Sequence, residues 1–261
     1  MKDIATKSTT NYILEKYDLY PKKKYGQNFL IDPRIVEKIV CSSSVDKECA
    51  VIEVGPGIGA LTQVLARYAG YVRSYEIDTR FKGVYEEFLN EDHIDVVFDD
   101  FLKIDLTTLE SLKEKYKKVI LVANLPYYIT TPIIMKLLEN RLKIESITIM
   151  IQKEVAERIV ATPGSKLSGA ITYSVHYYAE PEKIALVPNT SFIPSPEVDS
   201  EVIKLNIRKS PPVKIDNEKL FFNVIKASFM QRRKTLSNGL VNGGIVKNKA
   251  KAIEILKNMG F

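Results

Sequence analysis

The hexapeptide NLPYYI, Asn124 to Ile129, follows the apolar run VILVA and closes it with an amide, a proline and two tyrosines. Packing alone does not require that. These residue types suit the activation of a poor nitrogen nucleophile. An adenine amino group has its lone pair delocalised into the ring, and to attack a sulfonium methyl its nitrogen must move toward tetrahedral geometry. Two acceptors aimed at its N–H groups favour that change, and the Asn124 side-chain oxygen and the Leu125 carbonyl can supply them. Pro126 stiffens the turn and brings no N–H of its own to compete for those acceptors. Tyr127 offers a flat face for a base drawn out of its stack. No strong general base is needed, because the nitrogen becomes acidic once it carries the methyl group. That matches a chain whose two histidines, His93 and His176, stand isolated.

Upstream, VIEVGPGIGALT sets Gly55, Gly57 and Gly59 directly after an apolar run and before a helical pattern. Glycines there allow a tight turn and let a ligand lie against bare backbone at a helix N-terminus. About twenty residues on, Glu76 closes the next apolar run in SYEID, suited to accept hydrogen bonds from both hydroxyls of a ribose. Asp100, in FDDFL, follows the third run and can accept from the exocyclic amine of an adenine. The carboxyl ends of successive strands are where open α/β sheets bind ligands. An adenosine-containing cofactor is therefore expected. NAD fits less well, because Gly55-x-Gly57-x-Gly59 departs from the GxGxxG spacing of a pyrophosphate site.

The elements that must hold these residues alternate along the chain. Strands are expected at Ala50–Val54, Val72–Ile77, Ile94–Phe98, Val119–Ala123 and Ser146–Ile151. Helices are expected at Ala60–Ala69 and Arg80–Leu89, with another opened by Pro132. Such alternation implies a mainly parallel sheet covered on both faces. After Val187 the pattern changes to the proline-punctuated loop PNTSFIPSPEVDS, the alternating strand EVIKLNI, and then helices rich in Lys and Arg. A boundary near Arg208–Asp216 divides the chain into a basic extension (1–25), a catalytic domain (26–208) and a small, mainly helical C-terminal domain (209–261).

With 45% hydrophobic and 27% charged residues the chain has the composition of a soluble globular protein, and its formal net charge is +6. No acid occurs between Lys219 and Ile253, a stretch that includes Arg232, Arg233 and Lys234, and a second basic cluster is Lys22, Lys23 and Lys24. Basic segments at both ends point to a phosphate-bearing partner. Two cysteines, Cys41 and Cys49, without a CxxC pattern argue against zinc and against a disulfide framework. No metal is expected. MKDIATKSTT lacks the apolar stretch of a signal peptide and no run of about 18 apolar residues occurs, so a cytoplasmic location is expected.

The segments KKKYGQNFLID, VIEVGPGIGALT, YEID, VANLPYYITTP, MIQKEVAERIVATPGSK, FIPSPEVDS and FMQRRKTL stand in this order. Together they resemble the KsgA-type small-subunit ribosomal RNA adenine dimethyltransferases, over about Pro21 to Leu240. The resemblance implies a Rossmann-like class I S-adenosylmethionine-dependent methyltransferase. It further implies that Asn28 and Leu30 close over S-adenosylmethionine, with Gly55 at its amino-acid end, Glu76 at its ribose and Asp100 at its adenine. Asn124 would hold the target N6, and Tyr127 and Phe192 would sandwich the target base. The family converts two adjacent adenosines near the 3′ end of small-subunit (16S) rRNA to N6,N6-dimethyladenosine and serves in 30S biogenesis. The implied partner is rRNA in an immature 30S particle, met by a monomer, with the basic C-terminal helices on phosphates.

Several features depart from the pattern. Leu167-Ser168-Gly169 follows PGSK where the family usually has a polar residue and then Tyr-Gly, and Tyr128 stands where Asn is frequent. The chain stops at Phe261, short of the further helices of many relatives, so a shortened C-terminal domain is expected. Erm-type large-subunit rRNA methyltransferases share the fold and are the nearest rival. NLPY rather than NIPY, GQNFL and FMQRRKTL favour the small-subunit enzymes. A non-catalytic ribosome-assembly factor and a DNA adenine methyltransferase are more distant rivals. The intact glycine loop and acids speak against the first, and the QRRKTL tail against the second.

Overall fold

CAVIEV, KVILVAN and SITIMIQ carry few polar interruptions, and each forms a strand buried along nearly its whole length. Runs of this kind belong to parallel sheets with cover on both faces. The structure is a computed structural model that describes residues 3–231 and 234–261, and of Lys23 only the backbone. The chain divides into two units, one made of the residues up to Glu157 together with Glu180–Ile207, the other of Arg158–Ala179 and Arg208–Phe261.

In the first unit the strands are β1 (Phe29–Leu30), β2 (Cys49–Val54), β3 (Tyr71–Glu76), β4 (Ile94–Phe98), β5 (Lys118–Asn124), β6 (Ser146–Gln152), β7 (Ala179–Val187), β8 (Phe192–Ile193) and β9 (Ser200–Ile207). Seven of them form one sheet in the order β4-β3-β2-β5-β6-β9-β7. The neighbours from β4 to β6 pair in parallel, and β9 runs antiparallel to β6. The chain works outward from β2 to β4 and then returns to β5 on the other side of β2. The topological switch point therefore lies between β2 and β5, where sheets of this kind take ligands. β1 and β8 form a separate antiparallel pair, with Leu30 opposite Phe192.

The helices of this unit are α1 (Lys7–Lys16), α2 (Pro33–Ser42), α3 (Ala60–Tyr68), α4 (Lys82–Phe88), α5 (Thr107–Glu110), α6 (Leu112–Lys115), α7 (Thr130–Glu139) and the first part of α8 (Lys153–Val160), whose residues from Arg158 on belong to the second unit. α2 starts where it does because Asp32 caps it, accepting from the Arg34 N–H at 3.0 Å, and Pro33 presets the first turn. Val36, Val51, Leu65, Phe81 and Ile120 share one buried cluster. The N-terminal segment, read from its lysines as an extension, enters that cluster through Ile4, Ile13 and Leu19. The Ile4 N–H also donates to Gln63 Oε1 at 2.9 Å. The apolar side chains of α1, Tyr12, Ile13 and Leu14, are consecutive, so no helical period marks a core face in the sequence.

The second unit contains α9 (Ala170–Tyr178), α10 (Glu218–Phe229), α11 (Leu236–Asn242) and α12 (Lys249–Asn258). Its core is aromatic. Tyr177 and Tyr178 meet Phe222 at centroid distances of 5.3 and 5.4 Å. These contacts draw 158–179, assigned from sequence to the catalytic domain, into company with the C-terminal helices. Between α10 and α11 the backbones approach so closely that a Cβ on Gly239 would stand 2.7 Å from the Ala227 carbonyl oxygen. In the PGSKLSG segment the Tyr173 hydroxyl accepts from the Gly164 N–H at 3.0 Å.

Candidate active site

Around the carboxyl ends of β2, β3, β4 and β5 lies a cavity of ≈ 370 Å³, within the roughly 300–1,000 Å³ of small-molecule sites. Its walls include Asn28, Leu30, Gly55, Gly57, Glu76 and Asp100. Asn124, Leu125, Pro126, Tyr127 and Phe192 line the same space. The residues singled out from sequence for the cofactor and for the target base thus meet at one site.

The turn after β2 is held from both sides. Gly57 has φ +60°, a conformation that side chains resist, and its N–H donates to Glu76 Oε2 at 3.0 Å. Its carbonyl accepts from the buried Tyr85 hydroxyl at 2.6 Å. Glu76 is 4% exposed, and its other oxygen accepts from the Asp78 N–H at 2.8 Å. Burial pushes the Glu76 carboxyl up to about 7 against the pull of these N–H groups. A second acid on the cavity wall, Glu53, is 1% exposed and accepts from the Thr62 and Ser74 hydroxyls, each at 2.7 Å. Burial lifts it also to about 7. Sequence reading passed over Glu53, although an acid within an apolar strand is itself a signal.

Asp100 sits just past β4, where the Leu102 N–H donates to its Oδ1 at 3.0 Å and Lys103 Nζ stands 3.6 Å from its Oδ2. At the end of β5, the Asn124 Nδ2 donates to the Asn28 carbonyl across 3.5 Å. That turns the amide so that its oxygen is the atom left for a ligand. Leu125 is buried, with its N–H donating to the Met150 carbonyl at 3.1 Å. The Tyr127 hydroxyl shares a 2.7 Å hydrogen bond with Ser200 Oγ on β9, which fixes the ring. Phe192 is 4% exposed and packs in the main apolar cluster as well as on the cavity wall. Tyr128 is 54% exposed and lines the cavity beside Gly26, whose Cβ would stand 3.4 Å from the tyrosine ring.

The GQNFL segment is fastened across the site. Gln27 Nε2 donates to Asp78 Oδ2 at 3.0 Å, and Gln27 Oε1 accepts from the Lys22 N–H at 2.8 Å. Although burial alone would raise Asp78, hydrogen bonds from Arg80 and Gln27 hold its carboxyl down at about 2. Of the expected RNA-binding lysines, Lys22 lies 3.9 Å from Asp78 and Lys24 is exposed, its Nζ 4.5 Å from the Tyr25 ring centroid. Lys234, in the second unit, is exposed. The Lys23 side chain, Arg232 and Arg233 lie outside the described residues. Among the described residues no group of three His, Cys, Asp or Glu could hold a metal ion.

Residues 20–260 match the family described as ribosomal RNA adenine dimethylase. The chain is 50% identical over 255 residues to ribosomal RNA small subunit methyltransferase A of Shouchella clausii, covering 97% of this chain and 86% of that one. It is 48% identical to the protein of the same name from Geobacillus kaustophilus, over 100% of this chain and 90% of the other. Among solved structures, a dimethyladenosine transferase from Plasmodium falciparum superposes with a TM-score of 0.68 at 29% identity, over 81% of this chain and 74% of that one. The 23S rRNA methyltransferase ErmE does so with 0.65 at 28% identity, over 82% and 84%. A parallel sheet with its switch point at a glycine loop, an amide at the end of β5 and a match along nearly the whole chain lead to one assignment: the protein belongs to the ribosomal RNA adenine dimethylase family.

Proposed function

We propose that this protein methylates N6 of two adjacent adenosines near the 3′ end of small-subunit (16S) rRNA, giving N6,N6-dimethyladenosine, with S-adenosylmethionine as donor. The observation that carries the reading is Asn124, whose amide nitrogen is engaged by the Asn28 carbonyl beside the glycine loop. The cavity suits the donor. It offers a glycine turn whose backbone lies open to it, a buried carboxyl at the end of β3 and an acceptor past β4. Bound there, S-adenosylmethionine supplies an electrophilic methyl group on a sulfonium. Glu76 accepts from the ribose hydroxyls, Asp100 from the adenine amine, and Gly55 leaves room for the amino-acid end. Asn28 and Leu30 cover the site from the N-terminal side.

Asn124 Oδ1 and the Leu125 carbonyl accept from the two N–H groups of the target amine and favour a pyramidal nitrogen. Pro126 keeps the turn from offering a competing donor. Tyr127, its hydroxyl tied to Ser200, forms one wall for the flipped base and Phe192 the other. Lys22, Lys23 and Lys24 and the Arg232, Arg233 and Lys234 cluster meet rRNA phosphates. The reading places the protein as a monomer in the cytoplasm, acting on an immature 30S particle during its biogenesis. No described helix is long and apolar enough to cross a membrane.

The test incubates the protein with methyl-labelled donor and, separately, 30S particles, 50S particles and DNA, then maps the labelled base. Label at two neighbouring adenosines of the 30S rRNA is expected. Label confined to 50S would move the protein to the large-subunit activity, the reading favoured by its likeness to ErmE. Label confined to DNA would make it a DNA adenine methyltransferase. Binding to 30S with no label on any substrate would leave an assembly role without chemistry.

A further inference from the structure

Asp100 stands on a segment with little regular structure. Between β4 and α5 the chain forms turns, so its peptide groups lack the ladder partners of a strand or helix. Leu102 is nevertheless pinned through both of the peptide groups that flank it. Its N–H donates to Asp100 Oδ1 at 3.0 Å, and its carbonyl accepts from Lys136 Nζ at 2.8 Å. Lys136 reaches in from α7 and donates a second hydrogen bond to the Ile104 carbonyl, also at 2.8 Å. An ammonium has three donors in a compact head, so it can hold two carbonyls of one loop together. α7 begins directly after NLPYYI, the segment that carries the target-amine acceptors.

We propose that Lys136 is a positioning residue for cofactor recognition: by holding the Leu102 and Ile104 carbonyls it fixes the Asp100 carboxylate and ties that loop to the helix following the target-amine acceptors. With Leu102 held through the peptide groups on both its sides, Asp100 Oδ1 is committed to the Leu102 N–H. Oδ2 lies 3.6 Å from the solvated, 79% exposed Lys103 Nζ and remains for the adenine amine. With the Leu102 carbonyl released, rotation about the Leu102 backbone could shift its N–H and take Oδ1 with it. Lys136 lines no part of the cavity and acts wholly through the loop. The inference rests on the reading of Asp100 as acceptor of the donor's adenine amine.

The experiment measures S-adenosylhomocysteine binding by calorimetry in the parent chain, Lys136→Met, Lys136→Arg, Asp100→Ala and the Lys136→Met/Asp100→Ala double variant. The same series is repeated with the hypoxanthine analogue, which lacks the adenine amine. Lys136→Met is expected to weaken binding by about 10-fold, the scale of one charge-assisted hydrogen bond. Lys136→Arg, which keeps the donors, is expected to restore most of that loss. The loss should vanish in the Asp100→Ala background and with the analogue, and in turnover it should fall on KM for the donor rather than on kcat. An equal loss with and without Asp100, or no loss at all, would overturn the proposal. Should Lys136→Met not fold by circular dichroism, Lys136→Gln, with its shorter amide donor, is read in its place against the same outcomes. Asp100→Ala binding as tightly as the parent would reject the adenine reading itself, a failure visible without any Lys136 variant.

Discussion

Asn124 carries two atoms of opposite hydrogen-bonding sense on one side chain, and the Asn28 carbonyl selects between them. With Nδ2 turned to that carbonyl, Oδ1 is left as the acceptor that the proposed reaction would present to the target amine. Asn124→Ala should lower methyl transfer by about 10²–10³-fold, the usual loss for one transition-state hydrogen-bond partner, while changing donor affinity little. Single-turnover kinetics beside calorimetry separates the two. Glu53 makes a different kind of prediction. Its carboxyl is raised to about 7 by burial, so the native state keeps a proton that the unfolded chain releases near 4.5. The stability this group contributes is present below about pH 4.5 and is lost as pH climbs toward 7. Glu53→Gln removes that titration. Its melting temperature relative to the parent should therefore rise between pH 4.5 and 7.5, and a difference independent of pH would refute the assignment.

At the scale of elements, the glycine turn, the β4 loop and the β5 turn are each short and irregular, and each is fastened by a side chain from elsewhere. Tyr85 holds Gly57, Lys136 holds Leu102, and Ser200 holds Tyr127. Preorganisation of this kind keeps acceptors aimed without waiting for the ligand to order them. In the second unit the comparable constraint is steric. Gly239 on α11 lets the helix lie against the α10 backbone, and the missing Cβ would stand 2.7 Å from a carbonyl oxygen, which cannot swing aside as a side chain can. Gly239→Ala should cost about 1–3 kcal/mol of stability through that clash. Denaturant unfolding measures it, and a loss below about 0.5 kcal/mol would show that α11 shifts freely.

For the molecule as a whole, charge sets the terms of RNA binding. A net charge of +6, with no acid from Lys219 to Ile253, gives an electrostatic affinity that salt must weaken. Replacing Arg232, Arg233 and Lys234 together by Ala should reduce the slope of log K against log salt by about 2, at roughly 0.7 per phosphate contact on single-stranded RNA. Filter binding across a salt series measures this, and an unchanged slope would free those residues from phosphate contact. Asn124, Glu76, Asp100 and the three glycines could be picked out in the chain itself because each follows an apolar run, and the carboxyl ends of parallel strands gather at one edge. Residue type and local spacing were enough. What fastens them was not legible there: Tyr85 on Gly57, Gln27 on Asp78, Ser200 on Tyr127 and Lys136 on Leu102 join positions 28 to 73 residues apart. The same holds for the pairing of Tyr177 with Phe222 and for the entry of α1 into the core. Local periodicity determined six strands of the main sheet and the polar residues at their ends, but not β7, the β1–β8 pair or the order of the strands. Which distant side chain meets which loop was decided only when the chain closed on itself, because those contacts follow from packing across the fold and leave no periodic trace along the sequence.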